Sequence, residues 1–260
     1  MILAVLSDVH SNVQALTAAL IDAKRQGAER FVCLGDIVGY NCFPSETIQL
    51  LRAVGAECVQ GNHDRMVLGL LAPQGGPGAR QAIEWTRRIL TPADRRFLLQ
   101  LPIVRHWNGT SVFMHAALDD PEFRLRSDDH YLELRDTILQ RFPYVRVCFT
   151  GHSHIGMVVE VAGRQVFRRG RKSVQLDDNS FYFVNPGSVS NARNEDYRSS
   201  YLLYDTAHRR TCFRKINYDR KLVNDEDVKN GIPPDLGSSI LGNHYNLVVN
   251  GLRHWWRRTG

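Results

Sequence analysis

Residues 145–154 read Val145-Arg146-Val147-Cys148-Phe149-Thr150-Gly151-His152-Ser153-His154, an apolar run that stops in two histidines two positions apart. The run has the length and composition of a buried strand. Histidines at its carboxyl end put two imidazoles at neighbouring points in space. A single histidine there reads as a hydrogen-bonded surface residue. Earlier apolar runs end in the same way, however: the first in Asp8 and His10, the second in Asp36, the third in Asn62 and His63, the fourth in His115. Together these polar endings point to one shared edge suited to metal ions.

Helical patterns separate the first three runs. Ala15, Leu16, Ala19, Leu20 and Ala23 recur at helical spacing, with Ser11 and Gln14 reading as a capping box and Gly27 as a stop. A second helix is expected from Ser45, after Pro44, through Leu51 to a stop near Gly55. Strand, helix, strand, helix, strand predicts right-handed crossovers and a parallel sheet, whose ligands collect outside the carboxyl ends of the strands.

Farther along, residues 72–78 carry two prolines and three glycines and predict a loop. Helices are expected at 79–90, from Thr91-Pro92-Ala93-Asp94, and at 129–141. Asn108-Gly109 marks a hairpin. Short strands follow at about 156–161, 164–168, 173–176, 180–185, 200–204 and 211–217, so the second half reads as largely antiparallel. From about 221 the chain is polar and turn-rich. The expected division is one domain over residues 1–220 and an extension over 221–260 that packs on it or on a partner.

At 260 residues the chain is long enough for a full core. A hydrophobic share of 43% and a charged share of 23% are those of an ordinary soluble protein. The five cysteines are odd in number and scattered, which argues against a disulfide framework or a cysteine-bound zinc and fits a reducing cytoplasm. The apolar run at the amino end lacks a basic flank and a cleavage-like site, so it reads as a first strand and not a signal peptide. No run is long enough to span a membrane. A net charge of +6 and a pI near 9.2 suit an anionic substrate without indicating nucleic acid.

The candidate ligands Asp8, His10, Asp36, Asn62, His115, His152 and His154, with neighbouring His63, are all oxygen or nitrogen donors. That set suits Mn²⁺, Fe, Co²⁺ or Zn²⁺ and makes an iron–sulfur cluster a poor reading. Two divalent ions bring four positive charges against the two negative charges of Asp8 and Asp36. The excess attracts a phosphate ester and stabilises charge on its oxygens. Paired ions lie about 3.5–4 Å apart and are best held by a bridging carboxylate, for which Asp36 is the natural choice.

Asp8-Val9-His10, Gly35-Asp36, Gly61-Asn62-His63-Asp64, His115 and Gly151-His152-Ser153-His154, in that order, resemble the calcineurin-like metallophosphoesterases over about residues 2–205. Ser7-Asp8-Val9-His10-Ser11-Asn12, Gly35-Asp36-Ile37-Val38-Gly39-Tyr40 and Asn185-Pro186-Gly187-Ser188-Val189 resemble the bacterial and archaeal phosphodiesterase branch. The resemblance implies an α/β fold of two facing mixed sheets flanked by helices, an αββα sandwich. It implies two divalent metal ions, with Mn favoured. Asp8, His10 and His154 would hold the first and Asn62, His115 and His152 the second, with Asp36 bridging. It also implies that His63 acts near the leaving group, as general acid or as a stabiliser of phosphoryl oxygens. Water made reactive by the ions attacks phosphorus in line, with no covalent enzyme intermediate.

The chain departs from its relatives at three places. Where the phosphatase branch carries an acidic residue to orient the catalytic histidine, this chain has Gly39, leaving Asp64 as a substitute. After His115 it has Ala116-Ala117-Leu118-Asp119-Asp120-Pro121, without the arginine common there, whereas Asn191-Ala192-Arg193 keeps one. Substrate contacts are expected from Asn12, Tyr40 and Arg193. For Asn12 a helix-capping role weighs equally. Tyr40 and its neighbour Asn41 serve a turn as readily as a pocket, and Arg193 is either a fork donor to phosphate or a solvated loop residue. The basic tail with Trp255 and Trp256 reads first as a surface that docks on the core or on another subunit.

The function expected is hydrolysis of a small phosphodiester or phosphomonoester, nucleotide-like. The competing readings are a non-catalytic interaction module of the same fold and a nuclease. The complete ligand set disfavours the first and the absence of a duplex-binding domain the second. Expected partners are a small phosphoester, no membrane and no nucleic acid, with a homo-oligomer compatible with the tail.

Overall fold

A computed structural model describes residues 1–170, 173–190 and 198–232. The chain runs through β1 (Ile2–Leu6), α1 (Val13–Arg25), β2 (Arg30–Cys33), α2 (Pro44–Ala53), β3 (Glu57–Cys58), α3 (Asn62–Leu68), α4 (Pro77–Ile89), α5 (Pro92–Leu99), β4 (Val104–Trp107) and β5 (Ser111–Met114). It continues through α6 (Asp128–Arg141), β6 (Val147–Phe149), β7 (Met157–Ala162), β8 (Gln165–Gly170), β9 (Val174–Gln175), β10 (Phe181–Asn185), β11 (Ser199–Asp205), β12 (Arg210–Ile216) and α7 (Arg220–Lys229).

Side chains alternate between strand faces, and each face finds its own layer. Leu3, Val5, Val32, Leu34, Phe113, Val147, Phe149, Tyr182, Val184, Leu202 and Tyr204 meet between two sheets. The intervening residues face outward. Ala4, Leu6, Phe31 and Cys33 pack beneath Leu16 and Leu20 of α1 and Ile48 of α2. Val112, Met114, Cys148, Phe181 and Phe183 pack beneath Tyr131, Leu134 and Ile138 of α6. Because both faces are covered, these strands read as continuous apolar runs.

The sheets have six strands each, in the orders β3-β2-β1-β11-β12-β9 and β4-β5-β6-β10-β7-β8. Both are mixed. β1 pairs parallel to β2 and antiparallel to β11, while β6 pairs parallel to β5 and β10. The expected two-sheet α/β sandwich is therefore present. So is the hairpin, whose Asn108 and Gly109 both hold the positive φ of such a turn.

Three local expectations change. The residue that caps α1 is Asn12, whose Oδ1 accepts from the Ala15 N–H at 2.9 Å, and not Ser11. The Gly61-Asn62-His63-Asp64 block, expected only as the polar ending of the third apolar run, opens a short helix, α3. The polar stretch after 221 begins with α7, whose Asp227 side chain accepts from the Cys42 backbone N–H at 2.9 Å. The Trp-containing tail lies outside the described residues.

Candidate metal centre

The expected ligands emerge at one edge of the sandwich. Hydrogen bonding between parallel strands continues past their ends into the loops. Asp8, His10 and Ser11 donate backbone N–H groups to the carbonyls of Gly35, Asp36 and Ile37, and Gly151 donates to His115. Neighbouring loops are thus zipped together before any side chain is considered. Asp8, Asp36 and Asn62 follow β1, β2 and β3, while His115, His152 and His154 follow β5 and β6. The edge collects residues more than a hundred positions apart.

Their side chains converge. His154 Nε2 lies 3.3 Å from Asp8 Oδ1 and 3.2 Å from His10 Nε2. Asp36 Oδ2 lies 3.4 Å from His115 Nε2 and 3.7 Å from His10 Nε2, placing this carboxylate between the two halves of the cluster. Asn62 Oδ1 is 3.0 Å from His115 Nε2 and 3.1 Å from His152 Nδ1. Three overlapping groups each bring one donor atom per residue within 4.8 Å: Asp8 with His10 and His154, Asp36 with His115 and His152, and His10 with Asp36 and His63. All are buried.

Backbone conformation marks the same residues. Asp8, His10, Ser11, Asp36, His152 and His154 hold φ between 49° and 63°, the left-handed region. A left-handed non-glycine residue costs roughly 1–2 kcal/mol. Strain on five expected ligands, concentrated in one cavity, is a functional signature. Further polar atoms of the cluster are buried without a partner, Asp8 Oδ2, His10 Nδ1, His63 Nδ1 and His152 Nε2, in addition to the Asp8 Oδ1, His10 Nε2 and His152 Nδ1 that converge. Buried polar atoms without partners are expensive. Divalent cations fit this donor set.

The electrostatics follow from burial. Burial alone would raise the carboxyls of Asp8 and Asp36, but the surrounding histidines hold both below the usual carboxylate range. Burial lowers His10, His63 and, to about 4, His152. Burial opposes charge on His115 too, yet Asp36 beside it lifts that imidazole to about 9. The His115 Nδ1–H donates to the Leu34 carbonyl at 2.7 Å, which turns Nε2 toward Asn62 and Asp36. To hold a cation through Nε2, His115 would have to give up the proton on that nitrogen.

His63 sits beside the cluster on α3. Its backbone N–H donates to Asp36 Oδ1 at 2.8 Å, and its ring lies 4.7 Å from both His10 and Tyr40. Asp64, the substitute orienting residue, does not reach that ring. Its Oδ1 accepts from Ile37 and Val38 N–H groups and its Oδ2 from Gly61 N–H, so it ties the Asp36 loop to the start of α3. Burial and the nearby Asp36 charge push Asp64 up to about 7. At Gly39, with φ +134°, a Cβ would lie 2.7 Å from His63 Nδ1. The imidazole occupies the space that a side chain there would need.

Tyr40 borders the site, its ring 4.7 Å from His10. Asn12 takes the capping role that weighed equally with a substrate contact: its Oδ1 caps α1 and its Nδ2 donates to Ser190 Oγ and Tyr218 Oη. Arg193 lies outside the described residues. The Asn185-to-Ser190 block proves to be a strut. Asn185 Nδ2 donates to the Gly151 carbonyl and Ser188 Oγ to the Asp8 carbonyl, clamping two of the loops that carry the expected ligands. Asn41, with Nδ2 donating to the His10 carbonyl and to Ser190 Oγ, belongs to the same support. Only their dense polar composition hinted at this.

A family model described as the calcineurin-like phosphoesterase superfamily domain matches residues 1–209. The chain belongs to that superfamily. An uncharacterised protein of Methanocaldococcus jannaschii is 36% identical over 244 residues, covering 92% of this chain and 97% of its own. The crystal structure of a metallophosphoesterase from Sphaerobacter thermophilus superposes with a TM-score of 0.74 at 28% identity, over 90% of this chain and 95% of that one. A hypothetical protein from Pyrococcus horikoshii OT3 shares the fold, with a TM-score of 0.71 at 18% identity over 89% and 94% of the two chains. Among the described residues no helix is long and apolar enough to cross a membrane.

Proposed function

We propose that this superfamily member is a dinuclear-metal phosphoesterase that hydrolyses a small, nucleotide-like phosphodiester or phosphomonoester. The observation that carries the reading is the position of Asp36. Its carboxylate lies between a group of Asp8, His10 and His154 and a second group of Asn62, His115 and His152. The first group would hold one divalent ion and the second another, with Asp36 shared and Mn²⁺ favoured. When bound, such ions supply Lewis-acid polarisation of a phosphoryl oxygen and a lowered pKa for water. Two carboxylates leave the loaded site with excess positive charge, which draws in an anionic ester.

The chain's own contribution is positional. The strained loops hold the donors before any ion arrives, so little reorganisation accompanies binding. His63, kept neutral by burial, presents an imidazole N–H to the leaving oxygen or to a phosphoryl oxygen. Tyr40 packs that ring in place and borders the substrate's path. We also place the protein in the reducing cytoplasm, consistent with five free cysteines, four of them buried.

The test is hydrolysis of a panel of nucleotide and aryl phosphoesters with added Mn²⁺, repeated after chelation and again after Mn²⁺ is restored. Loss on chelation and recovery on restoration are expected. Hydrolysis untouched by chelation, or none for any ester by Mn²⁺-loaded protein, would contradict the proposal.

A further inference from the structure

Tyr40, whose ring packs on His63, stands in a loop that carries none of the expected ligands. Two helices from elsewhere in the chain grip that loop. At its start the Gly39 carbonyl accepts from Thr86 Oγ1 of α4 at 3.2 Å. Beyond Tyr40 the backbone amides take different partners. Asn41 and Phe43 donate to the carbonyls of His10 and Ser11, whereas Cys42 donates at 2.9 Å to the Asp227 carboxylate of α7.

Cys42 is 8% exposed and Asp227 1%, so water is kept from both the amide and the carboxylate. The chain then turns back over the contact. The Ile232 N–H donates to the Asp227 carbonyl at 2.9 Å, and Gln81 Nε2 of α4 donates to the Gly231 carbonyl at 2.5 Å. Ile232 itself packs with Cys42 and Ala82. The domain matched by the family model ends at residue 209, before α7, and no expected ligand comes from this helix.

Tyr40 links the loop to the chemistry. Its ring lies 4.7 Å from the rings of both His10 and His63. His63 Nδ1 meets no partner, and Asp64 is occupied by three backbone N–H groups. Packing from Tyr40 therefore takes over the orienting task, and the loop is as steady as its anchors. His10 is supported separately, since its carbonyl accepts from both the Asn41 N–H and Asn41 Nδ2. Loss of the Asp227 anchor would thus reach Tyr40 and His63 before it reached the expected ligands.

We infer that Asp227 is a positioning residue: by holding the Cys42 amide it fixes Tyr40 against His63, so that α7 governs turnover without touching substrate or metal. The inference rests on the phosphoesterase reading above and deepens it.

Asp227→Ala removes the acceptor, and Asp227→Asn keeps an oxygen in its place. Val223→Ala trims the helix's other buried side chain and leaves the carboxylate intact. In full-length protein with Mn²⁺ and bis(p-nitrophenyl) phosphate, Asp227→Ala is expected to lower kcat about tenfold, with KM and bound Mn²⁺ as in wild type. Where the alanine variant does not fold, Asp227→Glu, which shifts the same carboxylate by a methylene, should show the same fall. Asp227→Asn should recover most of the rate, and Val223→Ala should lower Tm with kcat unchanged. Added to His63→Ala, Asp227→Ala should cost no further rate, because it acts through that ring. Wild-type kcat in Asp227→Ala, loss of Mn²⁺ with it, an equal fall in Val223→Ala, or the full fall repeated on top of His63→Ala would each overturn the assignment.

A reading independent of turnover comes from Zn²⁺-loaded protein carrying isotope-labelled histidine and tyrosine. A nuclear Overhauser contact between the Tyr40 and His63 rings is expected in wild type and in Asp227→Asn, and is lost in Asp227→Ala. Its persistence in Asp227→Ala overturns the positioning role even if esters are hydrolysed. Its loss in that variant, with no ester hydrolysed by wild type, leaves the role standing and overturns the catalytic reading instead.

Discussion

His63 is held without the carboxylate partner that its surroundings lead one to expect. Its ring is fixed by His10, by Tyr40 and by the vacant Cβ position of Gly39. Removing the ring should separate binding from chemistry. His63→Ala is expected to bind Mn²⁺ as wild type does while losing about 10²–10⁴-fold in kcat. Asp36→Asn should lose bound metal and activity together, as elemental analysis beside kinetics will show. Gly39→Ala asks a β-carbon to enter occupied space at an unfavourable φ, at a cost on the order of 1–3 kcal/mol. It should lower kcat with metal content intact; wild-type kcat in this variant would mean that His63's placement is immaterial. That the candidate ligands share one edge was legible in the sequence, because each follows an apolar run. The true role of Asp64 was not, since one carboxylate serves a histidine or three backbone N–H groups from the same position in the chain.

At the level of elements, α1 shows how a residue near the site serves the fold. Asn12 uses one side-chain oxygen to cap the helix and one side-chain nitrogen to reach Ser190 and Tyr218. Asn12→Ala should cost about 1 kcal/mol from the lost cap, lowering Tm by roughly 2–4 °C in a domain of this size. A thermal melt checks this. KM should stay near wild type; a large rise in KM with unchanged Tm would restore the substrate contact expected for Asn12. Elements with a clear apolar period, such as α1, were legible. α3 was not, because its seven residues give no periodicity to read. α7 was not, because its face toward the core reduces to Val223 and Asp227 among charged neighbours.

Across the whole molecule, two sheets pack face to face so that the carboxyl ends of parallel pairs in each meet at one edge. Runs that are apolar on both faces made strands covered on both sides legible, whereas the two-sheet sandwich was implied by the resemblance that the Asp8, Asp36, Asn62, His115 and His152 blocks carry. The order of strands within each sheet was not legible, because β1 pairs with β11 across nearly two hundred residues and nothing local encodes that contact. The same topology explains why the cluster needs no short-range motif for its assembly. Loops zipped by backbone hydrogen bonds bring Asp8, Asp36, His115 and His154 together, and strain at their φ angles is tolerated because the sheets over-determine them. Anomalous diffraction from crystals soaked in Mn²⁺ tests this most directly. Two peaks about 3.5–4 Å apart, one on either side of the Asp36 carboxylate, are predicted. A single peak away from Asp36, or none at full soaking, would contradict it.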